Sequence, residues 1–400
     1  MNRELNIVLC DDASWNDLLP LTYTRPAAEL RVGILKIKEK WEMMLQCQSS
    51  FLTRGYLSKK FPIKLADKNL YINGSVIPDK NLVKRILELN EKDALTSGDV
   101  VIAVNSNEGL SEDFSNESFE SFKSLSYSSD FTKINYPWDI FRLNGQEIEA
   151  DFQLVTKGRE SSGLSKTNQI LCEDKIFVEP GAKAEFVTFN ASAGPIYLGK
   201  NSEVMEGSVI RGPFALCEES TVKMSAKIYG PTTIGPHSKI GGEINNSVIQ
   251  GYSNKAHDGF LGNSVLGEWC NLGADTNNSN LKNNYAEVKL WNYPSERFIK
   301  TGLQFCGLIM GDHSKCGINT MFNTGTVVGV SANIYGSGFP RNLIPSYSWG
   351  GASGMNVYTI NKAFEVAQKV MERRGIEFDD IEKEILAEIF KRTEKFRKNY

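Results

Sequence analysis

Histidine is scarce in this chain. His237, His257 and His313 are the only three among 400 residues, so any site that needs imidazole draws on that short supply. The seven cysteines are odd in number and none forms a CxxC pair, which argues against a disulfide framework or a zinc ribbon and for reduced thiols in a cytoplasmic setting. No segment approaches the run of about 20 apolar residues that a membrane span needs. The opening stretch MNRELNIVLCDD has no long apolar run before a cleavage site. A formal net charge of −3 gives no basis for binding nucleic acid or an anionic membrane. P-loop, HExxH, GxSxG and dinucleotide fingerprints are all missing.

What the chain does have is a period of six. Leu198, Val204, Ile210, Leu216, Val222, Ile228, Ile234 and Ile240 are all large aliphatics in strict register. Six fits neither a helix at 3.6 nor a lone strand at 2. It is the period of a parallel β-helix, in which each short strand stacks on one a full coil earlier. Two residues ahead of these positions stand Ser202, Ser208, Ser220, Ala226, Thr232 and Ser238, with Phe214 the exception. Large side chains then fill a prism and small ones turn its corners. The period resumes at Phe260, Leu266 and Leu272, and again at Met310, Cys316, Phe322, Val328 and Ile334. The gaps at about 245–259 and 276–302 read as loops thrown out of the coil, where a solenoid often carries its site.

Ahead of the solenoid, LNIVLC reads as a buried strand, with Asp11 and Asp12 at its end. A helical stripe follows from Ala28 through Leu30, Ile34, Ile37, Trp41 and Met44. Further strands are expected at 69–73 and 100–104 and a helix at 80–90, the start of an α/β domain. Segment 106–133 reads as an excursion from that fold. A boundary is expected near 155–170. After Asn356 two helical stripes, split by Gly375, are expected to cap the open end of the coil.

The second gap is rich in asparagine; the first carries His257 beside Asp258. An imidazole there suits a general base, although an exposed loop histidine would look the same. Asn271, Asn277, Asn278, Asn280, Asn283 and Asn284 suit sugar hydroxyls, or simply turns.

NKAHDGFLGNSVLGEWCNLGADT resembles the acyltransferase signature of the bifunctional N-acetylglucosamine-1-phosphate uridylyltransferase/glucosamine-1-phosphate acetyltransferase family. There a histidine is followed by Tyr-Leu-Gly and then Asn-Ile-Gly-Ala-Gly-Thr on a left-handed β-helix. IRGP at 210–213 resembles its arginine-bearing segment. The resemblance implies three parts: residues 1–165 as a nucleotidyltransferase-like α/β (Rossmann-like) domain, 166–350 as a left-handed parallel β-helix, and 351–400 as a helical cap. It implies His257 as the base that activates a sugar amine and Arg211 as the phosphate partner. Asn271 would hold the sugar, and Ala274 would line the acetyl-coenzyme A cleft. Asn245 stands where the family has a phosphate-binding lysine, and Phe260 where it has a tyrosine. Asn284-Tyr285 matches an Asn-Tyr pair only with an insertion; ungapped, Asn280 takes the first place. PLTYTRP at 20–26 resembles the second half of the nucleotidyltransferase loop, with Arg25 as its phosphate partner. The Gly-rich first half is absent, and YINGSV at 71–76 has Ser75 in place of the acid that holds Mg²⁺. Asp11, Asp12 or Asp139 are the candidate substitutes.

Three activities follow as expectations. The first is acetyl transfer from acetyl-coenzyme A to a sugar phosphate, joined to a nucleotidyltransferase-like domain that takes a nucleoside triphosphate with Mg²⁺, in a homotrimer. The second is a front domain that only binds or regulates. The third is a zinc lyase of the carbonic anhydrase type built on the three histidines, which needs them to converge at about 2.0–2.1 Å from one metal.

Overall fold

The computed structural model describes residues 5–110 and 114–398. By packing, the chain forms two compact units: residues 1–30 with 35–136, and residues 31–34 with 137–400.

The first unit holds a six-stranded sheet. Its strands are β1 (Asn6–Cys10), β2 (Ser49–Leu52), β3 (Asn69–Asn73), β5 (Asp93–Ser97), β6 (Val100–Ser106) and β7 (Lys123–Ser126), in the order β2-β1-β3-β6-β5-β7. β1 pairs in parallel with both neighbours, while β6 runs antiparallel to β3 and β5. A side pair, β4 (Val76–Ile77) with β8 (Thr132–Lys133), is antiparallel. The parallel strands end together, which leaves the Asp11-Asp12 turn at their carboxyl edge. That edge is where open α/β sheets hold ligands.

Two expectations change here. The stripe from Ala28 yields only a short 3₁₀ turn, Ala27–Glu29, and a helix at Ile37–Leu45. Residues 31–34 instead pack with the second unit, where Arg31 N–H donates to Gln250 Oε1 at 2.7 Å and Gly33 N–H to Asn144 Oδ1 at 2.9 Å. The 106–133 segment is no excursion. It supplies β7 and β8 and buries Phe114 and Phe119, although residues 111–113 lie outside the described ones.

The second unit is a parallel β-solenoid. Leu198, Val204, Ile210, Leu216, Val222 and Ile228 fall on the first, second and third faces in turn, and the first five each pair with the residue eighteen positions on, as Leu198 with Leu216 and Val204 with Val222, while Ile228 pairs with Ile244, sixteen on. All eight aliphatics of the first run are at most 2 % exposed, so the period of six is the period of the core. The corner hydroxyls form a second ladder. Ser220 Oγ donates to Gly235 O and accepts from Ser238 N–H, and Ser238 Oγ accepts from Ser253 N–H. A small polar residue satisfies there the backbone groups that a tight corner leaves unpaired.

The first gap is a shortened coil, not a loop. Ile240 pairs with Lys255, fifteen residues on, and the three faces continue without interruption. The register therefore shifts. Leu261, at 1 % exposure, points inward where Phe260 was expected, and Phe260 is half-buried on the outside. The second gap is a true excursion, containing the antiparallel hairpin Lys289–Asn292 with Arg297–Lys300. Its far end rejoins the first face at Leu308–Met310, which pairs with Val265 and Leu266. The helix Pro137–Thr156 packs on the first face.

Of the tail helices, Asp380–Arg392 lies against the last coil, where Tyr347 Oη donates to Leu386 O at 2.7 Å. Helix Ile360–Glu372 and the turn after it run back along the solenoid, not across its end. Arg374 donates from Nη2 to His237 O at 3.0 Å, five coils before the last one in the stack.

Candidate active site

His257 sits on the turn between second-face strand Asn254–Lys255 and third-face strand Phe260–Gly262, with its side chain exposed. The turn is fixed from two sides. Gly259 has φ +113°, and a Cβ there would stand 2.2 Å from Thr276 O, so only glycine fits. From inside the prism, Lys255 reaches out. It occupies an inward position between Ile240 and Leu272 at 1 % exposure, and its ammonium donates to His257 O at 2.5 Å and Asp258 O at 3.0 Å. Burial pulls the Lys255 ammonium down to about 8, against the opposing pull of Asp258 and Asp275.

The turn borders a groove of about 620 Å³ on the second face. Asn254, Asn271 and Lys315 stand side by side on its floor, one per coil. Ala274 lines it one coil after His257, and Arg373 and Arg374 close it from the tail. Lys239 and Lys315 add two more cations; burial pulls Lys315 down to about 8. The groove thus brings together His257, Asn271 and Ala274, and it surrounds them with positive charge.

Tyr252 and Trp269 line the groove as the middle of an aromatic column that was not read from the sequence. His237, Tyr252, Trp269 and His313 stack ring on ring at 4.9, 4.3 and 6.2 Å. Each turns the same corner of a successive coil at φ between 51° and 63°, a left-handed conformation that bulky residues adopt only under constraint. Each stands just before a small corner residue, namely Ser238, Ser253, Cys270 and Ser314, so a search for the residue ahead of each small corner position would have found the column. His237 and His313 lie at its two ends and His257 on a different corner. Among the described residues no three His, Cys, Asp or Glu side chains gather as a metal site.

The remaining candidates lie elsewhere. Arg211 and Asn245 are on the third face, at the same strand position two coils apart with Tyr229 between them. Phe260 is on that face too, with its N–H bonded to Asn277 Oδ1 at 2.8 Å. Asn280 donates to Asn263 Oδ1 at 2.8 Å, and a Cβ on Gly262 would meet both Asn280 and the Phe260 ring. Asn284 and Tyr285 are in the excursion and do not line the groove; Asn284 Oδ1 accepts from Ala286 N–H as a turn residue.

In the first unit, Arg25 is buried at 5 % exposure, with Nε toward Thr24 Oγ1 at 3.4 Å. Asp11 accepts from Ala27 N–H at 2.8 Å and Thr53 Oγ1 at 2.5 Å, and burial raises its carboxyl to about 7. Asp12 is a carboxylate: burial works against its charge, but Lys133, Ser14 and Asn73 hold it below the usual range. Its Oδ1 takes Ser14 N–H at 3.0 Å and the Ser14 hydroxyl, and its Oδ2 takes Asn73 Nδ2 at 2.9 Å and Lys133 Nζ at 3.2 Å. Ser75 bonds Asn73 and Ser14. Asp139 belongs to the other unit and pairs with Arg142 at 3.2 Å. Asp12 and Ser75 do not make a place for Mg²⁺ as they stand, because every acceptor position of Asp12 is filled.

Residues 7–160 match the family model described as sugar nucleotidyl transferase. The chain is 26% identical over 215 residues to a bifunctional sugar-1-phosphate nucleotidylyltransferase/acetyltransferase of Sulfurisphaera tokodaii, covering 53% of this chain and 47% of that protein. It is 26% identical over 211 residues to the bifunctional protein GlmU of Methanocaldococcus jannaschii, covering 52% and 45%. The family resemblance holds. An uncharacterized acetyltransferase, YaiX, of Escherichia coli is 28% identical over 147 residues, 36% of this chain and 63% of its own length. The matches span about half the length of the bifunctional relatives. No helix among the described residues is long and apolar enough to cross a membrane.

Proposed function

We propose that the solenoid is an acetyl-coenzyme A-dependent N-acetyltransferase acting on an amino-sugar phosphate. The observation that carries this reading is the convergence of His257, Asn271 and Ala274 on one cationic groove. The groove suits an acyl-coenzyme A: its volume accepts a narrow pantetheine chain, and Lys239, Lys315, Arg373 and Arg374 match the phosphates. His257 takes the proton from the sugar amine as the nitrogen attacks the thioester carbonyl. The N–C bond forms, the C–S bond breaks, and the leaving thiolate is protonated to free coenzyme A. Asn271 orients the sugar.

The reading includes a homotrimer. The middle of the first face is covered by helix Pro137–Thr156 and the second is partly overlaid by the tail. The third presents Leu171, Val209 and Tyr229 at 42–53 % exposure, with Phe186 and Met224 at its border. An apolar sheet face of this kind suits a second copy. Arg211, Asn245 and Phe260 would then meet a neighbour, and the His257 turn would lie at the seam. The seven unpaired cysteines suit a reducing cytoplasm.

The front domain belongs to nucleotide-sugar chemistry in this reading. The filled Asp12 site favours binding over nucleotidyl transfer. The test is thiol release from acetyl-coenzyme A with glucosamine-1-phosphate. His257→Ala is expected to lower kcat by about 10²–10⁴, the usual share of a general base; equal rates would remove His257 from the mechanism.

A further inference from the structure

We propose that the Lys133 ammonium is the resident cation of the front domain's ligand edge, and that Asp12 holds it in place of a divalent metal. The argument rests on acceptor geometry and is independent of acetyl transfer. A carboxylate has about four lone-pair positions. In Asp12 all four are taken by this chain's own donors: Ser14 N–H and hydroxyl on one oxygen, Asn73 and Lys133 on the other. Lys133 is not a loose surface charge. Its side chain is 8 % exposed, it lies on the paired strand Thr132–Lys133, and Nζ also donates to Asn135 Oδ1 at 2.7 Å. The neighbouring acid, Asp11, is buried at 2 % exposure, with one oxygen on Ala27 N–H and the other on the Thr53 hydroxyl. The position across from Asp12 is Ser75, which brings a hydroxyl where a metal would need charge.

A magnesium ion asks for near-octahedral oxygen ligands, one or two of them carboxylates. Here it would have to displace the Lys133 ion pair or the Asn73 bond on one oxygen, or a Ser14 bond on the other, to gain one ligand. A lysine gives a fixed single positive charge at the carboxyl ends of parallel strands β1 and β3, the edge where an anionic ligand would enter. Arg54 reaches the same acid's backbone, with Nη2 toward Asp12 O at 3.4 Å. The ligand class is a phosphate-bearing nucleotide or sugar, met by ammonium and guanidinium without a bridging metal.

The experiment is Mn²⁺ titration of the full chain by electron paramagnetic resonance, without nucleotide, for wild type, Asp12→Asn, Lys133→Met and the double variant. Wild type and Asp12→Asn are expected to match, with no site tighter than about 1 mM. Lys133→Met is expected to gain a Mn²⁺ site that the double variant lacks. A wild-type Mn²⁺ site lost in Asp12→Asn would overturn the proposal. So would a folded Lys133→Met, checked by circular dichroism, that gains none. Should Lys133→Met not fold, the first comparison decides on its own. Thermal unfolding of wild type with UTP in 10-fold excess of MgCl₂ or of EDTA over protein gives a second reading: equal midpoints are expected, and a rise with Mg²⁺ that Asp12→Asn abolishes contradicts the assignment.

Discussion

Replacing Lys255 with methionine isolates the effect of a charge inside the prism. Lys255 fills an inward slot between Ile240 and Leu272, where a methionine of similar length fits. Burial pulls its ammonium from 10.5 to about 8. At about 1.4 kcal/mol per pKa unit, holding the charge inside costs the fold about 3 kcal/mol at neutral pH. The sign follows. Below pH 8 the lysine is protonated in both folded and unfolded chains, so the full cost is present. Between pH 8 and 10.5 the folded lysine is neutral while the unfolded one still binds its proton, so stability rises with pH and the cost disappears. Methionine removes that cost but leaves His257 O and Asp258 O without their donor, a loss of about 1–3 kcal/mol for groups cut off from water. At pH 7 the variant is therefore expected to match wild type or exceed it by up to about 2 kcal/mol. The difference between the two must then move by about 3 kcal/mol in favour of wild type as pH goes from 7 to 10.5. Only this difference is diagnostic, because buried thiols such as Cys270, raised to about 12, pull both proteins the other way above pH 9. Urea unfolding at four pH values measures it. A difference that stays flat across that range would refute the buried-charge reasoning. Acetyl transfer is expected to fall at every pH, since the carbonyl tether of the His257 turn is gone.

Four further outcomes are expected. Gly259→Ala forces a Cβ to within 2.2 Å of Thr276 O at φ +113°; a loss of more than about 2 kcal/mol in urea unfolding is expected, with acetyl transfer lost alongside. Lys239→Ala, at an exposed position of the groove, is expected to weaken coenzyme A about 10-fold by calorimetry at low salt, less at high salt, and to change stability by under about 0.5 kcal/mol. Asp11→Asn removes an acid raised to about 7: wild type loses stability relative to the variant as pH rises from about 4 to 7, so the variant's gain in urea midpoint should be larger at pH 8 than at pH 4. Among the seven thiols, Cys47 and Cys172 are half-buried and the rest buried; native labelling at pH 8 should reach Cys172 first, because burial and Glu42 raise Cys47 to about 11.

The solenoid was legible because each coil repeats one instruction: a large aliphatic every six residues and a small residue two before it. That rule placed Leu198 to Ile240, and later Met310 to Ile334, in the core. It failed at Ile240, where the coil shortens. Ile244 and Ile249 come four and five residues on, and the next inward residue is Lys255. A charged side chain at a core position carries no hydrophobic signal, so the short coil read as a loop. His257 lines the groove, but from a tight turn of the coil itself and not from a loop thrown out of it. The aromatic column went unread for a related reason: stacked rings on successive coils are separated by 15, 17 and 44 residues, with no constant spacing. In the front domain the missing glycines and the Ser75 substitution were visible. Lys133, more than a hundred residues after Asp12, was not, because the pairing of β4 with β8 that delivers it has no local signature.

The most direct test of the groove is the structure of the complex with acetyl-coenzyme A. The account predicts the thioester beside the His257 ring, within about 3–4 Å of a position open to an incoming amine, with the phosphates at Lys315, Arg373 or Arg374. Coenzyme A bound away from the second face, with His257 pointing into solvent, would contradict it.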